Sequence, residues 1–198
     1  IKVIRNIISK TNNSELDIGY KFGLEFFFSK HGRKFISRLR NQKIFLDLKL
    51  NDIPNTCVSA IKSLKDLKNI NYLTVHISGG YKMLKAVKKE SKKINKKMKI
   101  LGVSILTSLN NDSVRKIGHT RSVKDLVRKQ AAIAKAAGLN GIVCSGHEAK
   151  LIKNICKNME IVTPGIRLKG DSVSDQKRVM TPKEAFANGS NAIVIGRS

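Results

Sequence analysis

A stretch at residues 45–56 places charged side chains at the end of an apolar segment. Asp47 and Lys49 alternate with three leucines, so a β-strand here would direct the two charges to one face and the leucines to the other. Opposite charges on a strand are costly to bury unless they pair or react. Asp52 and Pro54 follow at once, and proline is favoured in the first turn of a helix. The pattern predicts an acid–lysine–acid cluster where a strand meets a helix, an arrangement typical of an active site.

Apolar segments of strand length alternate with longer amphipathic segments along the rest of the chain. We predict seven strands, at residues 18–23, 44–48, 72–77, 100–106, 141–144, 161–163 and 192–195. We predict helices at residues 1–10, 54–67, 83–93, 123–137 and 147–154, one starting near 181, and one broken at 31–32 and ending near 41. Short apolar strands that alternate with helices are typical of a parallel sheet covered on both faces.

The positions of the polar residues favour a TIM (β/α)8 barrel over a doubly wound sheet. No glycine-rich dinucleotide motif follows a predicted strand, which weakens the doubly wound alternative. The carboxyl ends of all strands meet at one face of a barrel. The polar residues at or just past predicted strand ends are Lys21, Asp47, Lys49, His76, Thr107, Arg167 and Arg197. We therefore predict one barrel domain over residues 1–198, and we expect its first strand and last helix to belong to a longer chain, because a complete barrel takes about 250 residues.

Composition separates the chain from several functional classes. The net charge of +25 would suit a nucleic-acid ligand, but aromatic residues make up only 5% and no zinc-finger spacing or recognition helix is visible. We interpret the dispersed lysines as solvated, with steering of an anionic substrate as a secondary effect. The three cysteines, at positions 57, 144 and 156, are typical of reduced cytoplasmic thiols. No apolar run approaches the roughly 20 residues of a membrane span. We expect neither a nucleic-acid nor a membrane partner.

The segment from Asp47 to Thr56 resembles the signature of the orotidine 5′-phosphate decarboxylase family. Further motifs occur in the family's order, at residues 21–25, 75–80, 103–108, 141–145, 163–167 and 194–197. The resemblance implies a cytoplasmic enzyme of pyrimidine biosynthesis that converts orotidine 5′-phosphate to UMP. It also implies that no metal or cofactor takes part and that the enzyme is a homodimer with shared active sites.

The resemblance assigns roles to individual residues. Lys49 would protonate C6 of the pyrimidine as carbon dioxide leaves, and flanking carboxylates would favour its charged form. Asp47 would lie beside the substrate carboxylate, with Lys21 near it and the ribose. The residues implied to reach the partner's site are Asp52, also catalytic, with Ile53 and Thr56. The other substrate-binding residues implied are Thr107 and Ser108 on the pyrimidine side, Pro164, and the phosphate ligands Arg167, Gln176, Gly196 and Arg197.

Some alternatives stay open in the sequence. A magnesium-dependent sugar-phosphate decarboxylase or synthase, of the 3-keto-L-gulonate 6-phosphate decarboxylase or hexulose phosphate synthase type, carries a similar acid–lysine–acid strand. His76 is a better candidate for a structural histidine than for a catalyst, and Arg178 could be a phosphate neighbour or a solvated charge. Residues 168–177 are the candidate for a loop that closes over the phosphate. The family's first strand carries an aspartate that contacts the ribose, and this sequence has no counterpart to it.

Overall fold

The computed structural model describes residues 1–12, 14–168 and 178–196. Its parallel strands form one sheet in chain order: β1 (Gly19–Gly23), β2 (Lys43–Leu50), β3 (Ile70–His76), β4 (Lys99–Val103), β5 (Gly141–Val143), β6 (Glu160–Thr163) and β7 (Ala192–Ile193). A doubly wound sheet reverses its strand order at a switch point, whereas a barrel does not. The seven-stranded curled sheet therefore confirms the predicted barrel-type α/β fold.

Helices follow the strands and cover the outer face of the sheet. They are α1 (Lys2–Thr11), α2 (Leu24–Phe28), α3 (Gly32–Ser37), α4 (Pro54–Lys62), α5 (Gly80–Ile94), α6 (Asn111–Lys116), α7 (Val123–Ala136), α8 (Gly146–Ile155) and α9 (Pro182–Ala187). Local signals set several starts: Pro54 opens α4, and Thr181 and Glu184 form a reciprocal capping box before α9. Within the described residues, no helix is long and apolar enough to cross a membrane.

The largest departures from prediction lie around β4 and α4. The strand predicted at 100–106 ends at Val103, and the unpredicted helix α6 follows, with Asn110 as its N-cap. Ile105 lies in the connection after β4 but is only 9% exposed. Because it is apolar like the strand residues before it, the sequence pattern alone does not show where the strand ends. Helix α4 ends at Lys62 rather than at 67, and tight turns complete the predicted segment. The predicted break before α3 is confirmed.

The two faces of β2 enter different parts of the core. Ile44 and Leu46 are fully buried in the large cluster between the sheet and the helices. Phe45 has the opposite parity and packs against a second cluster made of strand residues of β4, β5 and β6. Asp47 shares the parity of Phe45, and the hydrogen bond from Lys49 to Asp47 shows that the two charged side chains lie on the same side of the strand, as predicted.

Candidate active site

A cluster of three charged side chains lies at the carboxyl ends of β1 and β2. The Nζ atom of Lys49 donates to Oδ2 of Asp47 at 2.8 Å, and the Nζ atom of Lys21 donates to the same oxygen at 3.1 Å. The Asp47 side chain is 12% exposed, whereas each lysine side chain is about one-third exposed. The predicted association of Lys21, Asp47 and Lys49 is therefore present, and the carboxylate is more buried than the two lysine side chains that it contacts.

Burial and the two lysines act in opposite directions on Asp47. Burial would raise the pKa of its carboxyl, but the hydrogen bonds and charges of Lys49 and Lys21 outweigh burial and lower that pKa below 3.8. Asp47 is thus an anion at neutral pH. The cluster holds one buried negative charge against two positive charges, so it favours further negative charge from a ligand nearby.

A fourth side chain, Thr74 on β3, completes the cluster, and sequence analysis missed it. Its hydroxyl donates to Oδ1 of Asp47 at 3.0 Å and accepts from the backbone N–H of Lys49 at 2.9 Å. Thr74 is fully buried. In the sequence it is one β-branched residue in an apolar strand, and only the pairing of β2 with β3 reveals its contacts.

His76, at the end of β3, lies within electrostatic range of the same cluster. Burial lowers the pKa of its imidazole, the charge of Lys49 lowers it further, and Asp47 partly opposes both. The surroundings of the imidazole therefore favour its neutral form. This agrees with the structural interpretation of His76, which stays a prediction.

Three residues assigned to substrate binding, Pro164, Arg167 and Gly196, follow the neighbouring strands β6 and β7. The N–H of Val194 donates to the carbonyl of Thr163 at 2.9 Å, which brings Pro164 and Gly196 to the same edge. Arg167 is 8% exposed, and its Nη1 atom donates to the carbonyl of Ile166 at 2.7 Å. A Cβ added at Gly196 would meet open space. Gln176, Arg197 and most of the predicted closing loop lie outside the described residues.

Thr107 and Ser108 occupy the turn after β4, and Arg178 holds the residues before it. Thr107 is 8% exposed. The Nη2 atom of Arg178 donates to the carbonyls of Ile105 and Leu106, at 3.2 and 3.3 Å.

Arg178 also forms an ion pair with Glu148 of α8, and the two side chains are 13% and 8% exposed. Arg178 is thus a buried, paired residue rather than a solvated charge. The contact with Glu148 spans thirty positions of sequence and could not be predicted from it.

Asp52, Ile53 and Thr56 lie apart from the three-charge cluster. All three are exposed, Ile53 at 67%. The Oδ1 atom of Asp52 accepts from the N–H of Ile53 at 2.7 Å, and in the part of the chain that the structure describes Asp52 forms no ion pair with Lys49. Within one subunit, Asp52, the second acid of the predicted acid–lysine–acid cluster, is therefore exposed and is not paired with Lys49.

Comparison with known proteins settles the family. The model of the orotidine 5′-phosphate decarboxylase / HUMPS family matches residues 7–198. This chain belongs to that family. The orotidine 5′-phosphate decarboxylase of Wolbachia pipientis subsp. Culex pipiens is 44% identical over 200 residues, covering 98% of this chain and 85% of the relative. That of Carboxydothermus hydrogenoformans is 45% identical, covering 90% of this chain and 76% of the relative.

Solved structures of the orotidine 5′-phosphate decarboxylase family share the fold. The crystal structure of the Lactobacillus acidophilus enzyme superposes with a TM-score of 0.82 at 34% identity, covering 99% of this chain and 85% of that one. The Methanocaldococcus jannaschii enzyme, crystallised with the inhibitor BMP, superposes with a TM-score of 0.68 at 23% identity, covering 89% and 76%, and supports the fold alone. The family resemblance drawn from residues 47–56 is thereby confirmed, whereas the roles of individual residues remain predictions.

Proposed function

We propose that this chain decarboxylates orotidine 5′-phosphate to UMP, the reaction that its curated relatives are named for. The observation that carries the proposal is the Lys21–Asp47–Lys49 cluster, in which one buried carboxylate holds two ammonium groups at the carboxyl ends of adjacent strands. Carboxyl strand ends are where barrel enzymes carry out their chemistry. The reaction belongs to cytoplasmic pyrimidine biosynthesis.

Lys49 acts as the proton donor. The bond between C6 and the carboxylate breaks, its electron pair stays on C6, and carbon dioxide leaves. The ammonium of Lys49 stabilises the developing negative charge and then gives its proton to C6, and solvent later restores that proton. Asp47 accepts a hydrogen bond from the ammonium and holds it in place before the substrate arrives, so little reorganisation accompanies the reaction. Every group in this sequence belongs to the protein or the substrate, so we propose that no cofactor takes part.

Residues at the other strand ends would bind the 5′-phosphate and the pyrimidine of the substrate. Arg167 and Arg197 suit the 5′-phosphate because a guanidinium offers two parallel donors. Interactions with a remote phosphate supply free energy that can hold the reacting ring in place. The remaining proposed contacts are Thr107 and Ser108 to the pyrimidine, and Pro164, Gln176 and Gly196 to the phosphate end.

We further propose that two copies of the chain share their sites. Asp52 and Ile53 are exposed between β2 and α4, and Thr56 is exposed in the first turn of α4. Among the described residues, Asp52 forms no ion pair with its own cluster. In such a dimer the exposed side chain of Ile53 would be covered by the partner subunit. In the dimer these residues complete the neighbouring subunit's site. Neither a nucleic acid nor a membrane is a proposed partner.

The magnesium-dependent sugar-phosphate enzymes remain the alternative named by the sequence. The relatives described above give this alternative no support, because they are orotidine 5′-phosphate decarboxylases. The donor set is also unfavourable: magnesium requires oxygen ligands, and the Asp47 carboxylate is already engaged by two ammonium groups and one hydroxyl.

The test is an assay of the purified protein with orotidine 5′-phosphate, followed by the change in ultraviolet absorbance, with and without the chelator EDTA. We expect consumption of the substrate at the same rate in both conditions, with UMP as product. Absence of turnover would contradict the proposal. Turnover that EDTA abolishes and added magnesium restores would contradict the metal-free mechanism.

A further inference from the structure

The backbone between Asp47 and Lys49 departs from a regular strand. Leu46 pairs with Leu73 of β3, but the next paired residue of β2 is Leu50, opposite Val75. Three residues of β2 thus face a single residue of β3, Thr74. Lys49 has a φ of +48°, a left-handed conformation that a side chain with a Cβ rarely adopts. Such a backbone persists only where neighbouring groups hold it.

Thr74 is the neighbour that holds it. The N–H of Lys49 is displaced from the regular ladder and donates to the Thr74 hydroxyl oxygen at 2.9 Å. The single hydroxyl proton of Thr74 then goes to Oδ1 of Asp47 at 3.0 Å. One buried hydroxyl therefore contacts the backbone of the proposed proton donor and the carboxylate that pairs with its ammonium.

The two oxygens of Asp47 have different partners. Oδ2 accepts from Lys49 and Lys21, whereas Oδ1 accepts from Thr74. Without the hydroxyl, the carboxylate could rotate about its bond to Cβ, and the Lys49 N–H would lose its acceptor in a partly buried position. Both changes would move the Lys49 ammonium relative to C6, and small displacements of this kind are costly for a rigidly bound reactant.

We propose that Thr74 is a positioning residue for decarboxylation. Its single hydroxyl fixes the position of the Lys49 backbone relative to the Asp47 carboxylate. The proposal rests on the proposed function, because Lys49 and Asp47 must act as described there. Thr74 is fully buried, so a ligand in the site would not reach its side chain. Its removal should therefore lower the rate of the chemical step and leave binding largely intact.

The test compares variants that separate the hydroxyl from the methyl group. Thr74→Val keeps the shape and removes the hydroxyl, and we expect kcat to fall about 10- to 100-fold, because hydrogen bonds to a charged group are lost. KM and UMP affinity should change much less. Thr74→Ser keeps the hydroxyl and should retain near-normal kcat, although it loses a buried methyl group. If the valine variant is poorly folded, Thr74→Ala against Thr74→Ser gives the same comparison.

Two controls separate positioning from folding. Ser91→Ala removes another fully buried hydroxyl, in α5, and should leave kcat unchanged. The acid limb of the kcat profile should move to higher pH in Thr74→Val, since a lost hydrogen bond disfavours the ionised Asp47. Near-normal kcat in Thr74→Val would overturn the proposal, as would equal losses in the valine and serine variants. An inactive wild-type protein would instead overturn the proposed function.

Discussion

The ion pair between Arg178 and Glu148 is largely buried, so breaking it should lower the free energy of unfolding by an amount that can be estimated. The two side chains are 13% and 8% exposed, and Arg178 additionally donates to two carbonyls. Arg178→Met would leave the Glu148 carboxylate buried without its counter-ion. Removing one partner of such a pair costs roughly 3–5 kcal/mol, which for a chain of this size is a fall in melting temperature of roughly 6–20 °C.

A double-mutant cycle measured by urea unfolding tests this reasoning. Replacing both residues, as Arg178→Met with Glu148→Met, removes the uncompensated charge, so the double variant should be more stable than Arg178→Met alone. Arg128→Met breaks an exposed pair with Asp125 and serves as the matched control, with little expected change. Additive losses, or a single variant as stable as the wild type, would refute the claim that this pair is buried and coupled.

Three further predictions follow from the site. His76→Gln should reduce the loss of stability as the pH falls below 6.5, because the pKa of His76 is lower in the folded protein than in the unfolded chain, which therefore binds the proton more readily. The measurement is the difference in urea midpoint between pH 7 and pH 5, and the same difference in the variant and the wild type would contradict this prediction. Arg197→Ala should weaken UMP binding but not uridine binding, by calorimetry; equal affinity for UMP in the variant and the wild type would remove the phosphate contact. Mixed Lys49→Ala and Asp52→Ala subunits should regain activity if sites are shared, and no recovery after proven subunit exchange would count against sharing.

The features that could be predicted from the sequence are those that local periodicity controls. The alternation of Asp47 and Lys49 with leucines predicted that the two charges would lie on one side, and they do form a hydrogen bond, although the backbone at Lys49 departs from a regular strand. The polar residues at strand ends were sufficient to predict a barrel, because that fold brings all carboxyl ends together. Both predictions depend only on residues close in sequence and on a general property of parallel sheets.

The contacts that sequence analysis missed all cross between elements. Thr74 faces Asp47 and Lys49 because three residues of β2 oppose one of β3, and no single-strand pattern encodes that irregular pairing. The left-handed backbone of Lys49 breaks the strand pattern at the residue that matters most for the chemistry. Ile105 was misassigned to a strand for a related reason, since it is buried from a connection rather than from the sheet.

The central claim is that Lys49 protonates the substrate carbon within the Asp47 cluster, and the Lys49→Ala variant tests it most directly. Turnover of orotidine 5′-phosphate and affinity for UMP should be measured together, with Lys93→Ala, a lysine whose side chain is 61% exposed, as the control. We expect Lys49→Ala to lose turnover by roughly 10²- to 10⁴-fold or more while still binding UMP. Turnover close to that of the wild type would contradict the account.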